Sequence, residues 1–170
     1  PDKRDTPLAL GLVGADRIST VSPGYAREML GPGHGCGYEA LLRSRRDELT
    51  GVLNGLDVTS WNPATDAHIA APFSADDPQP RAACRAALLE ALGLPAASDV
   101  PLIGVVSRLV GQKGVDLALD ALRRLRERPW HAVILGAGAA ELERAVLELA
   151  AELPGKVRAR IGFDETLARR

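Results

Sequence analysis

The chain has 170 residues, 46% hydrophobic and 25% charged, with 17 Gly and 12 Pro, proportions of an ordinary folded domain that exclude a collagen-like or disordered polymer. Lys and Arg number 21 against 22 Asp and Glu, a net charge of −1, so no overall field draws the chain to nucleic acid or to an anionic membrane. Its length allows one domain or parts of two, and with only two each of Trp, Tyr and Phe any core must be built from Leu, Val, Ile and Ala.

The opening PDKRDTP is neither a signal nor a transit peptide, and no run of about 18 apolar residues exists to cross a bilayer. Cys36 and Cys84 stand far apart with no CxxC spacing, which points to a reducing, cytoplasmic setting. The first residue is Pro1 rather than Met, and 164–170 reads as the first turn of a helix; a piece of a longer polypeptide is expected.

Residues 16–21 read as a strand, 38–47 as a helix with Leu41 and Leu42 facing inward, and 51–53 as a short strand. Residues 62–80 carry Pro63, Pro72, Pro78 and Pro80 without sustained periodicity, predicting a connecting segment between two compact parts. An Ala- and Leu-rich helix follows over 81–92 and ends at Gly93. The pattern then becomes regular. Pro101–Val106 is a short apolar run of the kind that forms a buried strand, and 107–114 is a loop. Val115, Ala118, Leu119, Leu122 and Leu125 share one face of a helix closed by Pro129. His131–Leu135 is a second strand closed by Gly136; Leu142, Ala145, Val146, Leu149 and Leu153 mark a second helix, and Val157, Ala159 and Ile161 alternate as a third strand. Short strands joined through helices of this length form parallel sheets, so the fold class is α/β.

Two cations, Arg108 and Lys113, sit in the loop GVVSRLVGQKG between a strand's carboxyl end and the next helix, the edge at which open α/β sheets bind ligands. A guanidinium offers paired donors and a Lys a compact charge, which suits a diphosphate; two solvated surface cations flanking a turn are the competing reading. GxxxxGK[ST] is absent, so this is not a Walker loop. In VILGAGAAELE a strand runs through Gly136 and Gly138 into a helix amino terminus, a partial dinucleotide fingerprint. Glu141 occupies the third glycine position, and Ile161 and Gly162 stand where a ribose-binding acid is required, so a close-packing turn is favoured over an NAD site. GPGHGCG, 31–37, lacks Lys, Ser and Thr and reads as a flexible surface loop. His34, His68 and His131 have no ligand spacing, and no metal site is expected. Cys84 is expected as a small core residue, Cys36 as a free thiol in a loop, and Asp116 and Asp120 as solvated charges. Trp61, within NGLDVTSWNP, is expected to anchor the connecting segment rather than to stack on a ligand.

Three stretches together resemble the bacterial glycogen synthases and plant starch synthases: ADRISTVSPGYAREML leading to GVLNGLDVTSWNPATD, then GVVSRLVGQKGVDL, then VILGAGAAELE followed by RIGFDETLARR. NGLDxxxWNP combined with SRLxxQKG is far more specific than either glycine pattern. The resemblance implies the glycosyltransferase B architecture, two doubly wound Rossmann-like domains across a cleft. Residues 1–50 would close the amino-terminal, glucan-binding domain, 51–95 would be interdomain, and 96–170 would be the first half of the nucleotide-sugar domain. It implies a retaining glucosyltransferase that lengthens an α-1,4-glucan from ADP-glucose, with no cofactor and no nucleic-acid or membrane partner.

On that pattern Arg108 and Lys113 hold the ADP diphosphate and stabilise the departing charge, Asn54 faces the sugar, Gly136 and Gly138 line the nucleotide pocket, and Phe163 lies near the adenine. Family members often carry Tyr at the Phe163 position; Phe keeps the stacking and loses the phenolic hydrogen bond. The family's Lys-x-Gly-Gly loop and its Glu-x-x-Gly stretch have no counterpart in these residues, so the 170 residues alone are expected to be inactive. The rivals are a retaining transferase of the same architecture using another nucleotide sugar, an NAD-binding module, and a non-catalytic binding module.

Overall fold

In the computed structural model, residues 6–96 and 99–170 are described. They form two compact units, one ending at Asp57 and the other comprising Val58–Arg170. The boundary falls inside NGLDVTSWNP, and the proline-rich 62–80 stretch, which has no helix or strand, lies within the second unit.

The first unit holds α1 (Pro7–Gly14), β1 (Ile18–Thr20), α2 (Pro23–Glu28), α3 (Glu39–Ser44) and β2 (Leu49–Gly51). The two helices that periodicity did not reveal start on the same local signal. Thr6 and Ser22 cap α1 and α2 by accepting the amides of Ala9 and Tyr25, and a Pro follows each cap, where its fixed φ suits the first helical position. α1 escapes periodicity because it is apolar on several sides, with Leu8, Leu10 and Val13 exposed. Arg45 closes its far end, donating to the carbonyls of Leu12, Val13 and Ala15, which a helix terminus leaves without partners. α3 is shorter than the expected 38–47 because the chain turns at Arg45; Leu42 is buried and Leu41 only partly so.

β1 and β2 are parallel, Ile18 opposite Leu49 and Thr20 opposite Gly51. The strand expected at 51–53 therefore lies two residues earlier. β1 stops where Ser22 opens α2, so after the Val52 amide bonds Thr20 there is nothing left for 52–53 to pair with, and Val52 and Leu53 are exposed.

The second unit contains α4 (Arg81–Ala91), β3 (Leu102–Val106), a 3-10 turn (Gly111–Lys113), α5 (Val115–Arg124), β4 (His131–Gly136), α6 (Ala140–Glu152), β5 (Val157–Ile161) and α7 (Glu165–Arg169). Its sheet runs β3-β4-β5 with both pairings parallel, Leu102 opposite His131 and Ala132 opposite Val157. The α/β class and its parallel sheets are as the periodicity requires.

The two-residue period of the strands divides the core. Ile103, Val105, Ala132, Ile134, Val157, Ala159 and Ile161 pack with Val115, Leu119 and Leu122 of α5 and Val146 and Leu149 of α6. Leu102 and Val133 point the other way, into Leu89, Leu92 and Leu94 at the end of α4. β4, between two neighbours and covered on both faces, is buried throughout. β3, expected to be buried, is an edge strand here and leaves Val106 57% exposed. Each fully buried Leu or Ile contributes about 1.5–3 kcal/mol, so these faces, rather than helix propensity, hold α5 and α6 in place.

α5 ends one residue before Leu125, which is 47% exposed instead of continuing the apolar face. The Leu125 carbonyl is taken by the Arg128 amide and the Trp130 indole N–H, at 2.9 and 2.7 Å, and this closes the helix ahead of Pro129. The Lys156 ammonium lies 5.1 Å from the centre of the Trp130 ring. Arg158 of β5 donates to the Leu92 and Gly93 carbonyls and fastens the end of α4 to the sheet. Among the described residues, no helix is long and apolar enough to cross a membrane.

Candidate functional site

The carboxyl ends of β3, β4 and β5 open into a cavity of about 340 Å³ lined by Val106, Ser107, Arg108, Leu135, Gly136, Ala137, Gly162, Phe163, Asp164 and Ala168. Arg108, Gly136 and Phe163, separated in sequence, thus meet at one site. Arg108 is exposed, and its guanidinium has no ion pair or hydrogen bond among the described residues. Phe163 is 92% exposed, an unusual situation for a phenyl ring with no partner. It follows Gly162, whose φ of 132° is open to glycine and strained for other residues. Asp164 accepts the Leu167 amide at 2.9 Å and so starts α7.

The glycines of VILGAGAAELE serve close packing. A Cβ on Gly136 would stand 1.9 Å from the Ser107 carbonyl oxygen, and one on Gly138 2.2 Å from that of Leu109. Only without side chains can the 107–109 loop lie along the 136–139 turn. The Leu109 amide bonds the Ala137 carbonyl at 2.9 Å, and the Ala139 amide bonds the Leu109 carbonyl at 2.8 Å. With the Ser107 amide bonded to the Leu135 carbonyl at 3.1 Å on its other side, Arg108 is held between two backbone anchors. The Gly138 amide, two residues ahead of α6, is already used, donating to the Glu143 carboxylate at 2.8 Å, so it is not free for a phosphate as it would be in a dinucleotide site.

The remaining candidates lie elsewhere. Lys113 ends the 3-10 turn, exposed, and is not among the residues lining the cavity. Gly114 next to it has φ 63°, the left-handed turn that joins the loop to α5. Asn54 is in exposed coil after β2, in the first unit. Ser107, Ala137, Gly162 and Asp164 also line the site but were not singled out by sequence; only the Asp-Glu start of α7 after a Gly-Phe pair gave a local signal.

The glycine loop 31–37 is tied rather than free. Glu39 accepts the amides of Gly35 and Gly37 at 3.1 and 3.2 Å, occupying the donors a phosphate would need. Cys36 in that loop is exposed with φ 55°. Cys84 is half-buried rather than in the core, its thiol donating to the Ala71 carbonyl. Asp116 is exposed and Asp120 pairs with Arg124 at 2.9 Å. Trp61 stacks on the Arg169 guanidinium, 4.1 Å from ring centre to Cζ. Among the described residues, no three His, Cys, Asp or Glu side chains gather in a metal-holding group.

A family model described as the starch synthase catalytic domain matches residues 3–44. A glycogen synthase of Anaeromyxobacter sp. (strain Fw109-5) is 52% identical over 163 residues, 96% of this chain and 34% of that protein. One from Aromatoleum aromaticum is 48% identical over 163 residues, again 96% of this chain and 33% of its own length. The chain spans about one third of the length of the curated relatives it matches. Among solved structures, the catalytic domain of starch synthase IV from Arabidopsis thaliana, bound to ADP and acarbose, superposes with a TM-score of 0.85 at 35% identity, covering 93% of this chain and 33% of that one. A glycosyltransferase from Rickettsia africae shares the fold, with a TM-score of 0.55 at 17% identity over 89% of this chain and 34% of that one.

Proposed function

We propose that this chain, a segment of the glycogen synthase and starch synthase family, belongs to an enzyme that transfers glucose from ADP-glucose to the non-reducing end of an α-1,4-glucan with retention at the anomeric carbon. The observation that carries the reading is the cavity at the carboxyl ends of three parallel strands, with an unpartnered guanidinium and an exposed phenyl ring on its walls. A ring for a base, a fixed cation for phosphate and glycine backbone between them suit a nucleotide diphosphate. The relatives at about half identity, named glycogen synthase, and the ADP- and acarbose-bound starch synthase support the same donor and polymer.

In this reading the bond from the anomeric carbon to the ADP oxygen breaks and the bond to the acceptor's hydroxyl oxygen forms. Negative charge grows on the departing diphosphate. Arg108 is flanked by the anchored backbones of Ser107 and Leu109, so its guanidinium waits where that charge appears, and Lys113 at the end of the loop closes on the same phosphates. Such preorganised donors contribute about 3 kcal/mol each when the charge is larger in the transition state than in the ground state. Both act as electrophilic stabilisers, not as acid or base. Asn54 is assigned to the sugar, and Gly136 and Gly138 to the nucleotide pocket; no cofactor is required.

The test is glucose transfer by the intact enzyme from ADP-glucose or UDP-glucose to glycogen, with Lys113→Ala alongside. Lys113→Ala is expected to lower kcat more than it raises KM. An unchanged kcat with a raised KM removes the leaving-group role, and a preference for UDP-glucose gives the chain to the rival transferases.

A further inference from the structure

Trp61 belongs to NGLDxxxWNP and Asp66 follows it by three residues, yet neither lines the cavity. Both instead meet Arg169 of α7. The Arg169 side chain is 6% exposed, and so is that of Asp66. Nη1 of Arg169 donates to the Ser60 carbonyl at 2.5 Å and to Asp66 Oδ2 at 3.1 Å. Nη2 donates to Ser60 Oγ at 2.9 Å and to Glu165 Oε1 at 2.6 Å, which also accepts Nε at 3.0 Å. All five N–H donors of the guanidinium are thus satisfied, and its face is covered by the Trp61 ring.

Asp66 is in turn held by the His68 amide at 2.9 Å. That amide, ahead of the Arg169 guanidinium, keeps the Asp66 carboxyl below its ordinary range against an opposing effect of burial. Two further bonds lace the same loop to α7 and the residue after it, one between Thr166 Oγ1 and His68 Nδ1 at 3.3 Å and one from Arg170 Nε to the His68 carbonyl at 3.2 Å.

α7 is five residues long, too short to set its own position. Asp164, which caps it, lines the cavity beside Phe163, and Ala168 of the helix lines the same wall. We propose that Arg169, clamped by Asp66, Ser60 and Trp61, is a positioning residue that fixes the Phe163–Asp164 wall of the cavity and thereby its grip on the nucleoside end of the donor. The proposal rests on the nucleotide-sugar reading of that cavity. It explains why a tryptophan and an aspartate about a hundred residues upstream matter to a pocket they do not touch: they hold the guanidinium that holds the helix.

The intact enzyme tests it through ADP binding by titration calorimetry and through separate KM values for ADP-glucose and glycogen. Arg169→Ala and Asp66→Asn are each expected to raise the Kd for ADP about tenfold or more, with the glycogen KM changed less than about twofold. The double variant should be no worse than the poorer single one, because the two side chains act as a unit. Arg169→Lys, which keeps the charge but not the planar fork, should fall between wild type and Arg169→Ala. A purely structural role would lower the melting temperature and leave the ADP affinity of the folded enzyme unchanged, so an ADP Kd within about twofold in a folded Arg169→Ala enzyme overturns the clamp. Should Arg169→Ala fail to fold, Arg169→Lys and Trp61→Leu carry the same comparison. Arg108→Ala separates the two levels: if it weakens ADP binding and the clamp variants do not, the clamp alone is wrong. If the wild-type enzyme binds no ADP, the nucleotide reading is wrong and the clamp falls with it.

Discussion

Gly138→Ala isolates the contact that holds the Arg108 loop. The added Cβ would lie 2.2, 2.7 and 3.0 Å from the carbonyl oxygen, carbonyl carbon and amide nitrogen of Leu109. All three are backbone atoms, so relief requires one strand-end segment to move away from the other by more than an ångström. Overpacking of this kind costs about 1–3 kcal/mol. The shift also strains the Leu109–Ala137 and Ala139–Leu109 backbone bonds, each worth about 0.5–1.5 kcal/mol, while the stiffer unfolded chain returns roughly 0.4–1 kcal/mol. The net expectation is a loss of about 1–5 kcal/mol.

Urea unfolding followed by the fluorescence of buried Trp130 measures it, with Gly104→Ala as the control. Gly104 sits on β3, where an added Cβ would meet nothing within 4 Å, so its substitution should be neutral or slightly stabilising. In the intact enzyme, Gly138→Ala should also lower kcat, because the loop that moves carries Arg108. Equal midpoints for Gly138→Ala and Gly104→Ala would refute the close-packing argument, whatever happened to activity.

Burial, and after it the positive fields of Arg85, Lys156 and Arg158, push the His131 imidazole below its ordinary value, and its Nδ1 is buried without a hydrogen-bond partner. The unfolded chain then binds this proton more readily than the folded one, so the stability is fully present above the ordinary histidine value of about 6.5 and is lost as pH falls from there through the lower folded value. Urea midpoints should drop as pH is taken below about 6.5 in the wild type and much less in His131→Val; parallel curves would discount His131. Ser22→Ala removes the side-chain acceptor of the Tyr25 amide and should cost about 1 kcal/mol, whereas Ser22→Gly should cost only a few tenths. Equal losses for the two, read by the same denaturation, would mean that the cap is not what holds α2.

The regular half of the second unit could be read from residue order because burial there is local in pattern. Val115, Leu119 and Leu122 must share a face of α5 whatever covers it, and Ile103 and Val105 must share a face of β3. Parallel strands, intervening helices and the placing of Arg108 and Phe163 just beyond strand ends follow from those periods. Three aspects needed the tertiary structure, since each depends on atoms distant in sequence. Gly136 and Gly138 look like a fragment of a dinucleotide fingerprint until the Ser107 and Leu109 carbonyls are found where their side chains would be. The 31–37 loop looks free until Glu39 is seen to occupy its amides. Asp66 and Arg169, about a hundred residues apart, show nothing of each other in the sequence, and folding buries them together beside Trp61. Periodicity reports which side of an element is apolar; which backbone meets which, and which charge finds its partner, is decided only when the elements pack.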